Sequence, residues 1–153
     1  MAQSTLNRED FKFLEDGLYC TKTNKFSLQG YRTYAKCVYV YDGDTVHLVF
    51  KMPNGNDCYK WVIRLMGIDT PEMKSKNANE KKKATEARDY LRGLILNKLI
   101  IIECLEFDKY GRLLGNLFLE GDTQSLSQKI ISAGLAKAYD GGHKDGWAEL
   151  GEE

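Results

Sequence analysis

The stretch from Ile63 to Glu72 crowds a guanidinium, two carboxylates and a proline into the end of one apolar run. Inside such a run Arg64 is costly unless it meets an opposite charge or lines a cleft. Asp69 and Glu72 are close enough along the chain to share that cleft. In an extended strand Arg64 and Ile68 point to one face and Asp69 to the other, so the strand must bend or end near Gly67. Pro71 blocks further ladder pairing and pushes Thr70 toward an extended or turn conformation. The spacing therefore predicts Arg64, Asp69, Thr70 and Glu72 at a strand end facing a cleft; the plainer alternative is a strand terminus with a surface ion pair. Two further polar interruptions break β-rich segments, Asp42-Gly43-Asp44 and Asp108-Lys109-Tyr110-Gly111-Arg112. Taken singly, the first reads as a hairpin turn that could ligate a cation and the second as a solvated hairpin tip.

The elements that must position these groups are legible in outline. Tyr34 to Tyr41 and Thr45 to Phe50 are rich in branched and aromatic residues and read as strands interrupted at Asp42-Gly43-Asp44. Met52-Pro53-Asn54-Gly55-Asn56 is a turn cluster, so Cys58 to Ile68 should return antiparallel and complete a meander. Lys74 to Lys83 reads as a mobile, lysine-dense loop, and Ala84 to Asn97 as an amphipathic helix, with Ala87, Tyr90, Leu91, Leu94 and Ile95 at helical spacing. Leu99 to Phe107 and Leu113 to Leu119 read as a hairpin about Asp108–Arg112. A short helix from about Ser125 to Ala133 is stopped by Gly134. This order fits a mainly β fold with helices (β+α), a five-stranded oligonucleotide-binding-type barrel with about two to three packed helices. An α+β open sheet is the alternative architecture.

With 153 residues, 42% hydrophobic and 29% charged, the chain suits one soluble domain with a real core. Residues 1–25 are expected to be an N-terminal extension of unreadable role that could pack on the domain, residues 26–147 the domain, and residues 148–153 an acidic tail. Lysine plus arginine balance aspartate plus glutamate at 22 each, so any polyanion binding must be local. Residues 1–10 lack the apolar core of a signal peptide, and no run is long enough to span a bilayer, so an intracellular protein without membrane contact is expected. Cys20, Cys37, Cys58 and Cys104 form no C-x-x-C pair and read as reduced thiols rather than a zinc site. Nothing demands a dimer, so a monomer is expected.

The order V-x-D-G-D-T, R-L-x-G-I-D-T-P-E, D-K-Y-G-R and G-L-A, present as Val40 to Thr45, Arg64 to Glu72, Asp108 to Arg112 and Gly134 to Ala136, resembles the staphylococcal nuclease-like (thermonuclease) family. The resemblance covers about Tyr34 to Tyr139. It implies an endonuclease that uses one calcium ion (Ca2+) to cut DNA and/or RNA and leaves 3'-phosphates. By motif position it implies that Asp44, Asp69 and the Thr70 carbonyl ligate the metal and that Glu72 holds or deprotonates the attacking water. Arg64 and Arg112 would grip the scissile phosphate, while Lys109, Tyr110 and Tyr139 would touch a neighbouring phosphate or sugar. Physical chemistry agrees with that division. Hard divalent cations take oxygen ligands, and planar arginine forks answer phosphoryl charge bidentately. The chain departs from the bacterial secreted enzymes in its shorter Asp108 hairpin and its missing basic excess.

Other polar features read more plainly. Asp42-Gly43-Asp44 lacks the rest of an EF-hand loop, and Pro71 stands where an aspartic protease motif needs glycine. Lys81-Lys82-Lys83 is a solvated helix face that could attract phosphates locally. His47 reads as half-buried packing, His143 is unassigned, and Trp147 is expected to pin the tail. Two rival functions remain: a catalytically silent barrel that binds nucleic acid or a protein partner, and a small-molecule or nucleotide phosphatase using the same cleft. A silent copy has no need of Asp44, Arg64, Asp69, Glu72 and Arg112 together.

Overall fold

The computed structural model describes residues 5–142; His143 and Trp147 lie outside the described residues. Strands β1 (Arg32–Val40), β2 (Thr45–Lys51) and β3 (Cys58–Leu65) form the expected antiparallel meander. A two-residue strand β4 (Ile68–Asp69), helix α1 (Ala78–Ile95), strands β5 (Leu99–Phe107) and β6 (Leu113–Phe118), helix α2 (Leu126–Ser132) and a two-residue strand β7 (Lys137–Ala138) follow. The large strands close in the order β1-β2-β3-β6-β5, with β5 also paired to β1, which excludes the open sheet. Closure depends on one parallel contact, Ile63 to Leu65 of β3 against Leu113 to Gly115 of β6.

Strand alternation fills this barrel. Ala35, Cys37, Val46, Leu48, Ile63, Leu65, Ile100, Ile102, Leu113 and Leu117 all turn inward and are buried. A register shift between Cys37 and Tyr39 leaves Val38 and Tyr39 both outside and returns Val40 to the core.

Helix α1 begins at Ala78, six residues before the first apolar contact at Ala84, so part of the predicted lysine-dense loop is helical. The Asn77 side chain caps it by accepting from the Asn79 and Glu80 amides. Apolar periodicity begins only where the helix reaches the barrel, at Ala84, Ala87, Leu91 and Ile95, which is why periodicity alone starts it late. Helix α2 starts in a Ser125/Gln128 capping box and ends before Gly134. Its Ser127 Oγ donates to the Met66 carbonyl at 2.7 Å, fixing α2 to the end of β3.

The N-terminal extension contains a 3-10 helix, Arg8–Glu15, that buries no residue, although the sequence there shows no sustained period. Its Phe11, Phe13 and Leu14 are exposed.

Candidate active site

Gly67 (φ 86°) ends β3 in a turn that an L side chain would strain, and the chain reverses into β4. Arg64 is folded under this turn. Its two terminal nitrogens donate to the Leu65 carbonyl at 2.6 Å and the Ile68 carbonyl at 2.8 Å, and one lies 3.5 Å from Asp44 Oδ2. The predicted bend is therefore held by the guanidinium itself. Burial of Arg64 to 7% exposure is tolerable because carbonyls and a carboxylate surround it.

Asp44 arrives from the turn between β1 and β2. Thr45 Oγ donates to its Oδ1 at 2.9 Å, and Thr70 Oγ donates to its Oδ2 at 3.0 Å. Thr70 thus meets Asp44 through its hydroxyl, an atom the sequence reading did not use. The Asp44 amide donates to Asp42 Oδ1 at 3.0 Å, which folds the turn on itself. Burial first, and the neighbouring Asp44 charge second, push the Asp42 carboxyl up to about 7. Gly43 is pressed against α1 and Thr70: a Cβ there would stand 2.8 Å from Ala87 Cβ and 2.9 Å from Thr70 Cγ2. The turn is tucked under a helix rather than open to water.

Arg112 is set by Asp108. Asp108 Oδ1 accepts the amides of Tyr110 at 2.8 Å and Arg112 at 3.0 Å, while Oδ2 accepts Arg112 Nε at 2.7 Å. Burial alone would raise the Asp108 carboxyl; the Arg112 and Tyr110 amides and the Arg112 guanidinium outweigh it and hold the group below the usual range. The exposed Tyr110 ring lies 5.6 Å from the Arg112 guanidinium carbon and 5.2 Å from Lys109 Nζ.

Two cavities share the arginines. The smaller, about 180 Å3, is lined by Asp42, Asp44, Arg64, Thr70, Glu72 and Arg112 among others. The larger, about 380 Å3, is lined by Arg64, Arg112, Lys109, Tyr110 and Tyr139, with the Met66–Gly67 turn as part of its wall. Of the nine predicted residues, Asp44, Arg64, Thr70, Glu72 and Arg112 thus border the first cavity, and Lys109, Tyr110 and Tyr139 the second. Asp69 is the exception: it is buried in β4 in register with Lys137 of β7 and lines neither cavity.

A family model described as "Staphylococcal nuclease homologue" matches residues 62–149. The chain belongs to that family. The chain is 31% identical over 128 residues to an uncharacterized protein of Methanocaldococcus jannaschii, a match covering 69% of this chain and 59% of the relative. It is 30% identical over 108 residues to an "Uncharacterized endonuclease" of Escherichia coli O157:H7, covering 70% of this chain and 61% of the relative. It is 32% identical over 105 residues to a "Thermonuclease" of Staphylococcus hyicus, covering 67% of this chain and 57% of the relative. The matched region thus spans about three fifths of each of these relatives. The family match includes every predicted site residue except Asp44.

The donor set bordering the smaller cavity is all oxygen, with carboxylates from Asp42, Asp44 and Glu72 and hydroxyls from Thr45 and Thr70. That chemistry fits a hard divalent cation, and a pair of buried carboxylates is a place where added positive charge is favourable. Among the described residues no three His, Cys, Asp or Glu side chains converge closely enough to hold a metal alone. A cation there would draw part of its shell from hydroxyl, carbonyl, water or substrate oxygen.

The structure adds residues that motif reading left out of the site. Asp42 and Thr45 flank Asp44, and the D-x-D-T pattern was the available signal. Asp108 orients Arg112 from the first position of its own motif. Glu80, in the first turn of α1, accepts the Glu72 amide at 3.0 Å and the Ser75 hydroxyl at 2.8 Å, tying the Glu72 segment to the helix. The local signal for Glu80 is its place three residues after the Asn77 cap, the spacing of a helix start, which marks its position but not its hold on the Glu72 segment.

Proposed function

We propose that this chain is an endonuclease that hydrolyses phosphodiester bonds of DNA and/or RNA with one calcium ion and leaves 3'-phosphate ends. The observation that carries the reading is the single small cavity bordered at once by Asp44, Thr70, Glu72, Arg64 and Arg112. Two guanidinium groups facing carboxylates in one cleft suit a phosphate that must be bound and attacked in the same place. The larger cavity beside it, with Lys109, Tyr110 and Tyr139, has the size and the polar and aromatic lining for the adjoining nucleotide. The unpaired thiols of Cys20, Cys37, Cys58 and Cys104 suit a reducing, intracellular compartment. Among the described residues no helix is long and apolar enough to cross a membrane. We assign the activity to residues 26–147, with residues 1–25 as an accessory segment.

In this mechanism Glu72, on the exposed rim of the cavity, takes the proton of the attacking water. The water oxygen bonds to phosphorus, the P–O5' bond breaks, and the departing 5' oxygen takes up a proton from bulk water to become a hydroxyl. Arg64 and Arg112 meet the charge that grows on the phosphoryl oxygens; removing one such donor typically costs about 10²–10³ in rate. Asp44 and the Thr70 carbonyl would hold the calcium ion at the smaller cavity, with Asp42 and Thr45 supporting Asp44, and Asp69, set back from that cavity in β4, would turn toward the ion to join them. When bound, the ion supplies charge neutralisation at the phosphate and polarisation of water.

An end-labelled oligonucleotide digest tests the reading. Cleavage in calcium, loss of cleavage in EGTA and 3'-phosphate ends are the expected results. Unaltered cleavage in excess chelator refutes the metal role, and binding without cleavage assigns the chain to the silent modules. Glu72→Gln is expected to slow hydrolysis far more than it weakens calcium binding.

A further inference from the structure

The smaller cavity opens to water between three side chains. Asp42, Asp44, Thr45, Arg64 and Thr70 in its wall are buried, whereas Tyr41 and Glu72 are exposed and Arg112 is half-buried. Glu72 and Arg112 have parts in the hydrolysis proposed above. Tyr41, 40% exposed at the same mouth, has none.

The backbone under Tyr41 is fixed on both sides. Its amide donates to the Thr45 carbonyl at 3.0 Å, and Arg92 of α1 donates to the carbonyl of the preceding Val40 at 3.2 Å. Two residues on, Gly43 is packed against Ala87 and Thr70. Among the described residues no ring stacks on Tyr41 and no hydrogen bond engages its hydroxyl. A ring held on a rigid base, with a face left to water at the mouth of a cleft, is preorganised to receive a flat apolar group.

The geometry of displacement decides which part of a substrate meets that ring. Attacking and leaving oxygens lie roughly in line on opposite sides of phosphorus. Glu72, which would hold the attacking water, borders the smaller cavity and not the larger. The nucleoside joined through O5' therefore departs on the side away from Glu72, toward Lys109, Tyr110 and Tyr139 of the larger cavity. The nucleoside joined through O3' keeps the phosphate and lies to the side of that line, so it leaves through the mouth of the smaller cavity. Tyr41 is the one ring there among the described residues.

We propose that Tyr41 forms a subsite for the base of the nucleoside that keeps the phosphate after cleavage. The inference deepens the nuclease reading and rests on it for the side from which phosphorus is attacked. Stacking on a ring reads no base edge, so the subsite accepts every base and favours the wider faces of purines. It requires a base freed from its own neighbours.

The test uses a thymidine tetranucleotide, cut in calcium, whose central linkage is a phosphodiester and whose flanking linkages are methylphosphonates. In each of two companions one base beside the central linkage is replaced by hydrogen: on the nucleoside that keeps the phosphate in the first, on the one that leaves in the second. The parent is expected to lose about tenfold in kcat/KM on the first companion, expressed in KM. Tyr41→Ala is expected to lose about tenfold on the complete substrate and nothing further on the first companion, while both proteins lose the same factor on the second. Tyr41→Phe keeps the ring and should show the parent's pattern. Adenine as the phosphate-keeping base should help the parent and Tyr41→Phe but not Tyr41→Ala. In EDTA, where the strand stays intact, a fluorescent adenine analogue at that position should be quenched by the parent and not by Tyr41→Ala. Thermal denaturation of each variant separates misfolding from lost stacking. A Tyr41→Ala protein that keeps the parent's loss on the first companion overturns the subsite. So does one that slows all three substrates by the same factor, which would make Tyr41 a brace for the Asp44 turn. If the parent cuts none of them, the nuclease reading is removed, and quenching that depends on Tyr41 still upholds the subsite while its absence overturns it.

Discussion

Gly43 offers the sharpest test of how the site is assembled, because its substitution acts through packing rather than through any ionisable group. Its backbone lies outside the left-handed region, so alanine is conformationally acceptable there and would by itself stabilise by about 0.4–1 kcal/mol through the unfolded chain. The added Cβ, however, would stand 2.8 Å from Ala87 Cβ and 2.9 Å from Thr70 Cγ2. Neither neighbour can yield cheaply. Ala87 has no rotamer to change and sits fully buried in α1, and Thr70 is held by its hydroxyl on Asp44 at 3.0 Å. The strain must go into the turn, moving Asp44 away from Thr70 and Arg64. Overpacking of this kind costs about 1–3 kcal/mol. The net loss for Gly43→Ala is therefore about 1–2 kcal/mol, a fall in Tm of about 2–8 °C for a chain of this size. Turnover should fall further, by up to about 10²-fold, because displacement of a positioning group by about an ångström costs that much. Thr70→Ser removes one of the two clashing atoms and keeps the hydroxyl, so Gly43→Ala/Thr70→Ser should recover part of the loss, with a coupling of at least about 0.5 kcal/mol in a double-mutant cycle. Urea denaturation and single-turnover cleavage measure both quantities. A Gly43→Ala protein with parental Tm and turnover, or strict additivity with Thr70→Ser, refutes the packing argument.

Three further outcomes follow from the same contacts. Because Asp42 is pushed up to about 7, its contribution to stability is fully present below the unfolded value near 3.8 and is lost as pH rises through about 7. Asp42→Asn keeps the acceptor for the Asp44 amide, so its stability relative to the parent should rise by roughly 2–3 kcal/mol between about pH 5 and about pH 8.5; a flat difference in urea denaturation contradicts the shift. Asp108→Asn puts a donor against Arg112 Nε and should lower turnover by about 10²-fold. Parental turnover would mean that Arg112 is positioned without Asp108. Glu80→Ala frees the Glu72 amide and the Ser75 hydroxyl, and should lower kcat by about tenfold while leaving KM within about twofold. Unchanged hydrogen-exchange protection at the Glu72 amide would show that the helix does not hold the segment.

What the sequence announces and what it conceals divide along a physical line. Strand alternation and turn residues are local, so the barrel, the reversal at Gly67 and the hairpin at Asp108–Arg112 are all legible before any coordinates. The start of α1 is not, because its first turns face water and carry no apolar period; the Asn77 cap was the local sign, hidden in a lysine-rich run. Strands β4 and β7 have two residues each, too few for any pattern, yet their pairing brings Tyr139 to the larger cavity. Asp42 reads as an ordinary turn acid because its burial comes from α1, some forty residues on, closing over Gly43. Glu80 and Asp108 act by holding other residues, and residue type alone does not distinguish a carboxylate that holds an amide from one that faces solvent.

Arg64 shows why the site and the fold cannot be separated here. A residue kept only to bind phosphate would leave its guanidinium in the cleft, but two of its donors are spent on the carbonyls of Leu65 and Ile68, across the Met66–Gly67 turn. Those carbonyls are otherwise at a strand end where the ladder stops, and burying them without a donor would cost about 1–3 kcal/mol each. The guanidinium therefore closes the turn that carries Asp69 and Thr70 while remaining part of the wall of both cavities. Arg64 is thus expected to matter for stability as well as rate, whereas Arg112, one-third exposed on a hairpin tip and anchored by a single carboxylate, is expected to matter for rate alone. Under the proposed function, that asymmetry would place the rigid half of the phosphate grip on β3 and the more exposed half on the β5–β6 hairpin.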